Sequence, residues 1–127
     1  MFKKKHTIKT NSIIGRGTEF KGVIKDKESI RIDGKFEGEI ETEGSVIIGE
    51  GAFIKGNIKA RSVSIGGKVI GDVLCEGKVE LFSSGSLEGK VQASDLTIAE
   101  GAFFNGECKM VQPQEEKEGL ENLPPEE

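Results

Sequence analysis

The chain repeats one short pattern, apolar–x–Gly–x–apolar, six times. The central glycines follow one another at steps of 16, 18, 15, 18 and 17 residues, so the mean period is about 17. A fixed period of this kind is typical of stacked-repeat proteins, in which each repeat contacts its neighbours. The six segments that carry the pattern are Phe20–Ile24, Phe36–Ile40, Ile54–Ile58, Val69–Val73, Leu87–Val91 and Phe104–Cys108.

A second apolar column has the same period. Its members follow one another at steps of 18, 16, 17, 16 and 17 residues. Around both columns apolar residues alternate with polar ones, and a period of two predicts strands rather than helices. We therefore predict three short strands in each period, separated by turns rich in Gly, Ser, Asp and Glu. The members of the second column are Ile14, Ile32, Ile48, Ile65, Leu81 and Ile98.

One repeat cannot bury its own apolar face, but stacked coils share a continuous interior. The sequence thus predicts an all-β fold, a single parallel β-helix (β-solenoid) of about six coils over residues 13–110. At about 4.8 Å per coil this is a rod of about 25–30 Å. Residues 1–12 carry a net charge of +4 and residues 111–127 one of −5, and both lack the apolar content to fold. They are predicted to be a disordered basic tail and a disordered acidic tail.

The residues that carry chemistry are few. The single histidine, His6, has no acid or cysteine at ligand spacing, and each Gly-Lys pair is followed by Phe or Val instead of the Ser or Thr of a phosphate-binding loop. Cys75 and Cys108 both fall in inward columns, which predicts small buried side chains rather than a disulfide or a metal site. We therefore expect no catalytic, cofactor or metal site, and no enzyme.

The first five residues suggest a membrane tether. Each lysine near an anionic leaflet contributes about 1 kcal/mol, so a single copy binds weakly, whereas a polymer displays many copies. A merely solubilising tail is the alternative. Nucleic acid is not expected as a partner, because the body and the C-terminal tail are acidic. The tether consists of Met1, Phe2, Lys3, Lys4 and Lys5.

The sequence contains no run of about 18 apolar residues, so it predicts no transmembrane helix. No apolar segment follows the basic start, as one would in a signal peptide. We expect a cytoplasmic location.

Five stretches between residues 13 and 110 carry a more specific pattern: Ile14–Gly22, Ile32–Gly38, Val46–Gly51, Val79–Leu81 and Gly85–Val91. Together they resemble the bactofilin family. This resemblance implies a bacterial cytoskeletal protein with a right-handed parallel β-helix that polymerises without nucleotide. It also implies a place at the inner face of the cytoplasmic membrane, where such polymers organise cell-wall enzymes or their adaptors and cell shape.

A stack of coils without caps leaves an open edge strand and a core cross-section at each end. We predict self-assembly through these end coils, with Phe104 and Met110 as the most sensitive positions. The resemblance implies that like ends meet, while the residues themselves leave head-to-head and head-to-tail stacking open. The predicted end positions are Ile14, Phe20, Ile24, Leu96, Ile98, Phe104 and Met110.

Phe53 and Phe103 occupy an outward column that is otherwise polar. They lie 50 residues apart in similar ten-residue segments, 49–58 and 99–108, hence three coils or about 14 Å apart on one face. Together with Ile70 they predict a patch for lateral bundling or partner docking. The alternative is that scattered surface hydrophobes are normal.

Two other functions stay open. One is a β-solenoid adaptor that does not polymerise. The other is a left-handed β-helix acyltransferase, since Ile48 and Ile54 have the spacing of its hexads. Steps of 15 and 16 residues break that hexad pattern, and such enzymes use a histidine in or near the coils. Filament formation distinguishes the adaptor from the polymer.

Overall fold

The structure is a computed structural model, and it describes residues 10–111. Within that range thirteen strands wind into six coils, with no helix. A coil consists of a short strand, a turn and a longer strand. The strands are β1 (Thr10–Ile14), β2 (Glu19–Asp26), β3 (Ser29–Ile32), β4 (Lys35–Thr42), β5 (Ser45–Ile48), β6 (Phe53–Ala60), β7 (Ser62–Ile65), β8 (Lys68–Ile70), β9 (Val73–Cys75), β10 (Lys78–Leu81), β11 (Ser86–Ala93), β12 (Asp95–Ile98) and β13 (Phe103–Met110).

Two parallel sheets run along the stack. The short strands form one sheet in the order β1-β3-β5-β7-β10-β12, and the longer strands form the other in the order β2-β4-β6-β8-β11-β13, with β9 paired to β6 and β11. The register joins equivalent residues of successive coils, for example Phe20 with Phe36 and Gly22 with Gly38. The predicted all-β parallel β-solenoid is confirmed. Its winding sense, expected to be right-handed, stays a prediction.

The prediction of three strands per coil is wrong for five of the six coils. In those coils the longer strand is one element of eight residues whose fourth residue is the pattern glycine. These glycines have φ between +138° and +153°, which L side chains rarely adopt, so the chain turns without leaving the ladder. Only the fourth coil, after the shortest step of 15 residues, divides into β7, β8 and β9.

The pattern glycines also lie in close contact with one another. A Cβ atom on Gly56 would lie far inside the 3.0 Å that real Cβ atoms keep from other atoms, against the carbonyl oxygen of Gly38. The same holds for Gly38 against Gly22 and for Gly106 against Gly89. Glycine is therefore required at this position of the repeat for two reasons, the backbone angle and the close spacing of the coils.

The inward columns form one continuous core. Ile32, Ile54 and Leu87 are completely buried, and Cys75 is buried as predicted. The Cys75 thiol donates a hydrogen bond to the carbonyl oxygen of Arg61 (3.1 Å), and the carbonyl oxygen of Lys78 lies 3.4 Å away as an alternative acceptor. Burial raises the pKa of this thiol, so it stays protonated.

The solenoid begins earlier than the predicted residue 13. Strand β1 starts at Thr10, and Asn11 and Ser12 donate side-chain hydrogen bonds of 2.9 and 2.6 Å to the carboxylate of Asp26. These bonds hold the start of the chain against the first coil. The predicted tether and the rest of the two predicted tails, residues 1–9 and 112–127, lie outside the described residues.

Candidate assembly interface at the coil ends

The C-terminal end of the stack exposes the apolar core. Met110 is 54% exposed, although Ala93, its register partner one coil earlier, is completely buried. Ile98 is 46% exposed, and its partner Leu81 is completely buried. The change occurs because β12 and β13 are the last strands of their sheets among the described residues. The same columns that form the core elsewhere are therefore uncovered here.

Three further inward residues complete this end face. Leu96 and Phe104 are half-buried and pack against the core. Cys108 is exposed, with its Sγ 3.5 Å from the Sδ of Met110. The prediction that Cys108 is buried is wrong for the single chain, because within residues 10–111 no further coil follows the sixth one. Its partner Val91, one coil earlier, is buried.

The backbone at this end is open as well. Among residues 10–111, β13 pairs with β11 on one side and β12 with β10, and neither has a strand on its other side. Such edges present unpaired N–H and C=O groups that accept another strand. Neither strand contains proline, the residue that most directly prevents further pairing.

The N-terminal end is less open. Phe20 stacks on Phe36 with ring centroids 5.3 Å apart and planes 6° apart, and it is half-buried, as is Ile24. Ile14 is buried. Of the three residues predicted to make this end face, Phe20 and Ile24 are thus partly available and Ile14 is not.

A carboxylate also lies at the N-terminal end. Asp26 occupies the inward position that Thr42, Ala60 and Met110 hold in other coils. Its carboxylate accepts hydrogen bonds from Ser12, from the Glu28 backbone N–H and from Asn11, and these lower its pKa to about 2. An inward-pointing charge is one of the devices by which proteins blunt a sheet edge. The two ends therefore differ in chemistry, one apolar and one polar.

The two phenylalanines of the predicted lateral patch lie in one column, and Ile70 lies in the next outward column. The register runs from Phe53 through Lys68 and Ser86 to Phe103. Phe103 is 51% exposed, Phe53 is half-buried, and Ile70 is half-buried between Lys55 and Glu88. Lys68 and Ser86 separate the two rings, so the apolar surface is interrupted. Its role in bundling or docking stays a prediction.

Sequence reasoning missed Phe82, which is exposed at a turn of the fifth coil. The sequence does indicate that Phe82 is exposed. Phe82 directly follows the inward Leu81, a position that Gly49, Gly66 and Ala99 occupy in other coils.

No group of three His, Cys, Asp or Glu residues within 10–111 is placed to hold a metal ion. In the same range no helix is long and apolar enough to cross a membrane.

A β-solenoid with an uncovered core at one end and open edge strands belongs to the class of proteins that can extend by stacking. A family model described as "Bactofilin: Polymer-forming cytoskeletal" matches residues 12–109. The chain belongs to the bactofilin family and is a polymer-forming cytoskeletal protein.

A solved structure of similar fold agrees with this assignment. The chain is similar to the Thermus thermophilus bactofilin seen in a cryo-EM reconstruction of double helical filaments, with 29% identity and a TM-score of 0.75. The match covers 80% of this chain and 100% of that one. A search of the curated proteins found no significant match. The family match favours the cytoskeletal prediction over the adaptor and the acyltransferase.

Proposed function

We propose that this protein polymerises without nucleotide by stacking its end coils, and that the polymer lies on the inner face of the cytoplasmic membrane, where it scaffolds cell-wall or cell-shape machinery. The observation that carries the polymerisation is the uncovered core at the last coil, with Met110 and Ile98 exposed where Ala93 and Leu81 are buried. A second end coil placed there continues both sheets and covers these side chains.

The free energy gained by covering such a joint is of the order that association requires. Covering a few hundred Å² of apolar surface contributes several kcal/mol at about 25 cal/mol per Å². Association costs about 4–15 kcal/mol, so the hydrogen bonds of the two edge strands have to add to the apolar term. No step of this assembly uses phosphate chemistry, in keeping with Gly-Lys pairs that lack a following Ser or Thr.

The difference between the ends supports joints between like ends. A head-to-tail joint would place the Asp26 carboxylate in the column that Met110 ends, where it would be buried against apolar side chains. A joint between two C-terminal ends brings apolar residues together on both sides. Filaments without polarity also require a joint between two N-terminal ends, where Phe20 and Ile24 supply the apolar contact and each Asp26 carboxylate keeps its hydrogen bonds from Ser12 and Asn11. We favour such filaments, in which the two kinds of joint alternate.

The Thermus thermophilus protein forms double helical filaments, and we infer that filaments of this chain also pair. A paired filament displays many N-termini along its length. The basic start Met1–Lys5 then binds an anionic membrane through many weak contacts at once. Held there, the polymer offers a fixed surface to cell-wall enzymes or their membrane adaptors.

Electron microscopy of the purified chain in buffer free of nucleotide and metal tests the polymerisation. We expect filaments of the wild type and of Leu74→Glu, a matched control at an exposed apolar residue of the fourth coil, away from both ends. Met110→Glu puts an unpaired carboxylate into the joint, at a cost of about 3 kcal/mol or more. It should raise the critical concentration at least about 100-fold. Phe104→Glu should act in the same direction. Filaments of Met110→Glu at the wild-type concentration would contradict end stacking.

Liposome co-sedimentation tests the membrane part separately. A chain without residues 2–5 should still polymerise but should no longer sediment with vesicles that contain anionic lipid. Undiminished sedimentation would refute the tether and leave polymerisation standing.

A further inference from the structure

The outer surface of the first four strands of the short-strand sheet has few charges, whereas β10 and β12 carry Lys78, Glu80 and Asp95. In β1, β3, β5 and β7 the only charged residue is Arg31. Ile13, which is 66% exposed, and the half-buried Ile47 lie in register on either side of it. We call this surface the short-strand face, and it consists of Ile13, Arg31, Ser45, Ile47, Ser62 and Ser64.

The polar groups of the short-strand face are largely satisfied within the chain. The Arg31 guanidinium makes a two-bond ion pair with Asp33, with Nε 2.9 Å from Oδ2 and Nη2 3.1 Å from Oδ1. The hydroxyls of Ser45 and Ser62 are 2.6 Å apart and bond to each other. A surface whose polar groups already have partners loses little when water is removed from it.

The longer strands present a different surface. β2, β4, β6, β11 and β13 each carry at least two charged residues. Apart from Phe103 and Met110 in the last coil, the exposed apolar residues of this sheet lie beside charges, as Val23 does beside Glu39 and Leu74 of β9 beside Lys59. The centres of protein interfaces are depleted of charge, so the short-strand face is the flank best suited to contact another protein.

We propose that the short-strand face is the surface through which two filaments of this chain pair side by side, with the two sheets packed face to face. The inference rests on the polymerisation proposed above and names the surface that the pairing uses. Packed sheets lie about 10 Å apart, and the small serine side chains allow that approach. Two such faces bring the aliphatic side chains of Ile13 and Ile47 into a shared contact.

The size of the face indicates a second filament as its occupant. Four strands of four residues cover about 13 Å by 19 Å, hence about 250 Å² per chain. A stable complex of two proteins buries about 800 Å² on each partner. One copy is therefore too small to hold one partner, whereas a filament repeats the contact in every subunit and the contacts add. Pairing should appear only after polymerisation.

Cryo-electron microscopy of full-length variants tests this assignment. The double variant Ile13→Lys/Ile47→Lys adds two charges to the short-strand face, and we expect it to form single filaments whose mass per length is half that of the wild type. The matched control Val23→Lys/Leu74→Lys adds the same charges at exposed apolar residues elsewhere and should keep paired filaments. Phe53→Ser/Phe103→Ser changes the predicted lateral patch, which competes with the short-strand face as the pairing surface. If the short-strand face pairs the filaments, this variant keeps paired filaments, whereas the lateral-patch prediction expects single ones.

Several results would overturn the proposal. Paired filaments of Ile13→Lys/Ile47→Lys would do so. Single filaments of Val23→Lys/Leu74→Lys, or of Phe53→Ser/Phe103→Ser, would also do so. If the wild type forms only single filaments, this inference fails and end stacking stands; if it forms none, both fail.

A second measurement decides the matter if the lysine variant does not fold. Ser64→Cys in a Cys108→Ala chain places a thiol on the short-strand face, at least five coils or about 24 Å from its equivalent in an end-stacked neighbour. A short bis-maleimide should cross-link it in filaments, but should not cross-link Asn57→Cys in the same background. Cross-linking at position 57 and not at position 64 would assign the pairing to another face.

Discussion

The stacked glycines allow a paired test of the fold within one chain. Gly56 and Gly22 hold the same position of the repeat and have φ of +148° and +143°. A methyl group on Gly56 would overlap the carbonyl oxygen of Gly38, whereas on Gly22 it would meet only the Phe20 ring at 3.5 Å. Both alanine variants therefore carry similar backbone strain, and only Gly56→Ala also forces two coils apart.

The strain costs about 1–3 kcal/mol in either variant. Separating β4 from β6 in Gly56→Ala additionally weakens two or three ladder hydrogen bonds, each worth about 1 kcal/mol net. We thus expect a loss of about 3–6 kcal/mol for Gly56→Ala and about 1–3 kcal/mol for Gly22→Ala. Gly15→Ala, with no atom within 4 Å of the added methyl and φ outside the left-handed range, is the control and should change stability by less than about 1 kcal/mol.

Urea unfolding followed by circular dichroism measures these losses in a Met110→Glu background, which blocks the C-terminal joint, at a protein concentration low enough that sedimentation shows only monomers. Equal losses in Gly56→Ala and Gly22→Ala would refute the reasoning, because the two glycines differ only in whether a coil lies before them.

Three further outcomes are expected. Cys108 should react with a thiol reagent in the monomer and become protected in filaments, while the buried Cys75 reacts in neither; Cys108 reacting equally in both states would exclude a joint between C-terminal ends. Since the pKa of Asp26 is lowered to about 2, its contribution to stability is present above the ordinary value of 3.8 and is lost as the pH falls through about 2. The loss of unfolding free energy that Asp26→Asn causes in a monomeric chain should therefore persist at pH 4 and shrink towards pH 2. If half of this loss had already disappeared near pH 3.8, Ser12 and Asn11 would not hold the carboxylate. Gly22→Ala should fold but assemble poorly, because the added methyl projects from the end face where a coil would stack; normal assembly would show that the N-terminal end takes no part.

The periodicity predicted the fold because the residues of one column stack on one another and share the same environment, either core or solvent. Ile32, Ile48 and Ile65 follow one another in the sequence at the spacing at which they stack in the core. The strand count was less predictable. A glycine between two apolar residues normally indicates a break, and only the register of glycine with glycine shows that the ladder continues through it.

The end coils were the least predictable part of the site. Cys108 and Val91 occupy the same column, and no local signal shows that one is covered and the other exposed; that depends on which coil is last. Asp26 could have been recognised, because a charged residue in an inward column indicates an edge. The charge-poor short-strand face became visible only when the register placed Ile13, Arg31 and Ile47 side by side.

The axial rise of filaments assembled without nucleotide tests end stacking most directly. Six coils at about 4.8 Å predict about 29 Å per subunit, with the 4.8 Å ladder unbroken across the joint. Joints between like ends predict a full repeat of about 58 Å. Cryo-electron microscopy measures both. A rise that is not close to six coils, or a ladder interrupted at the subunit boundary, would contradict assembly through the end coils.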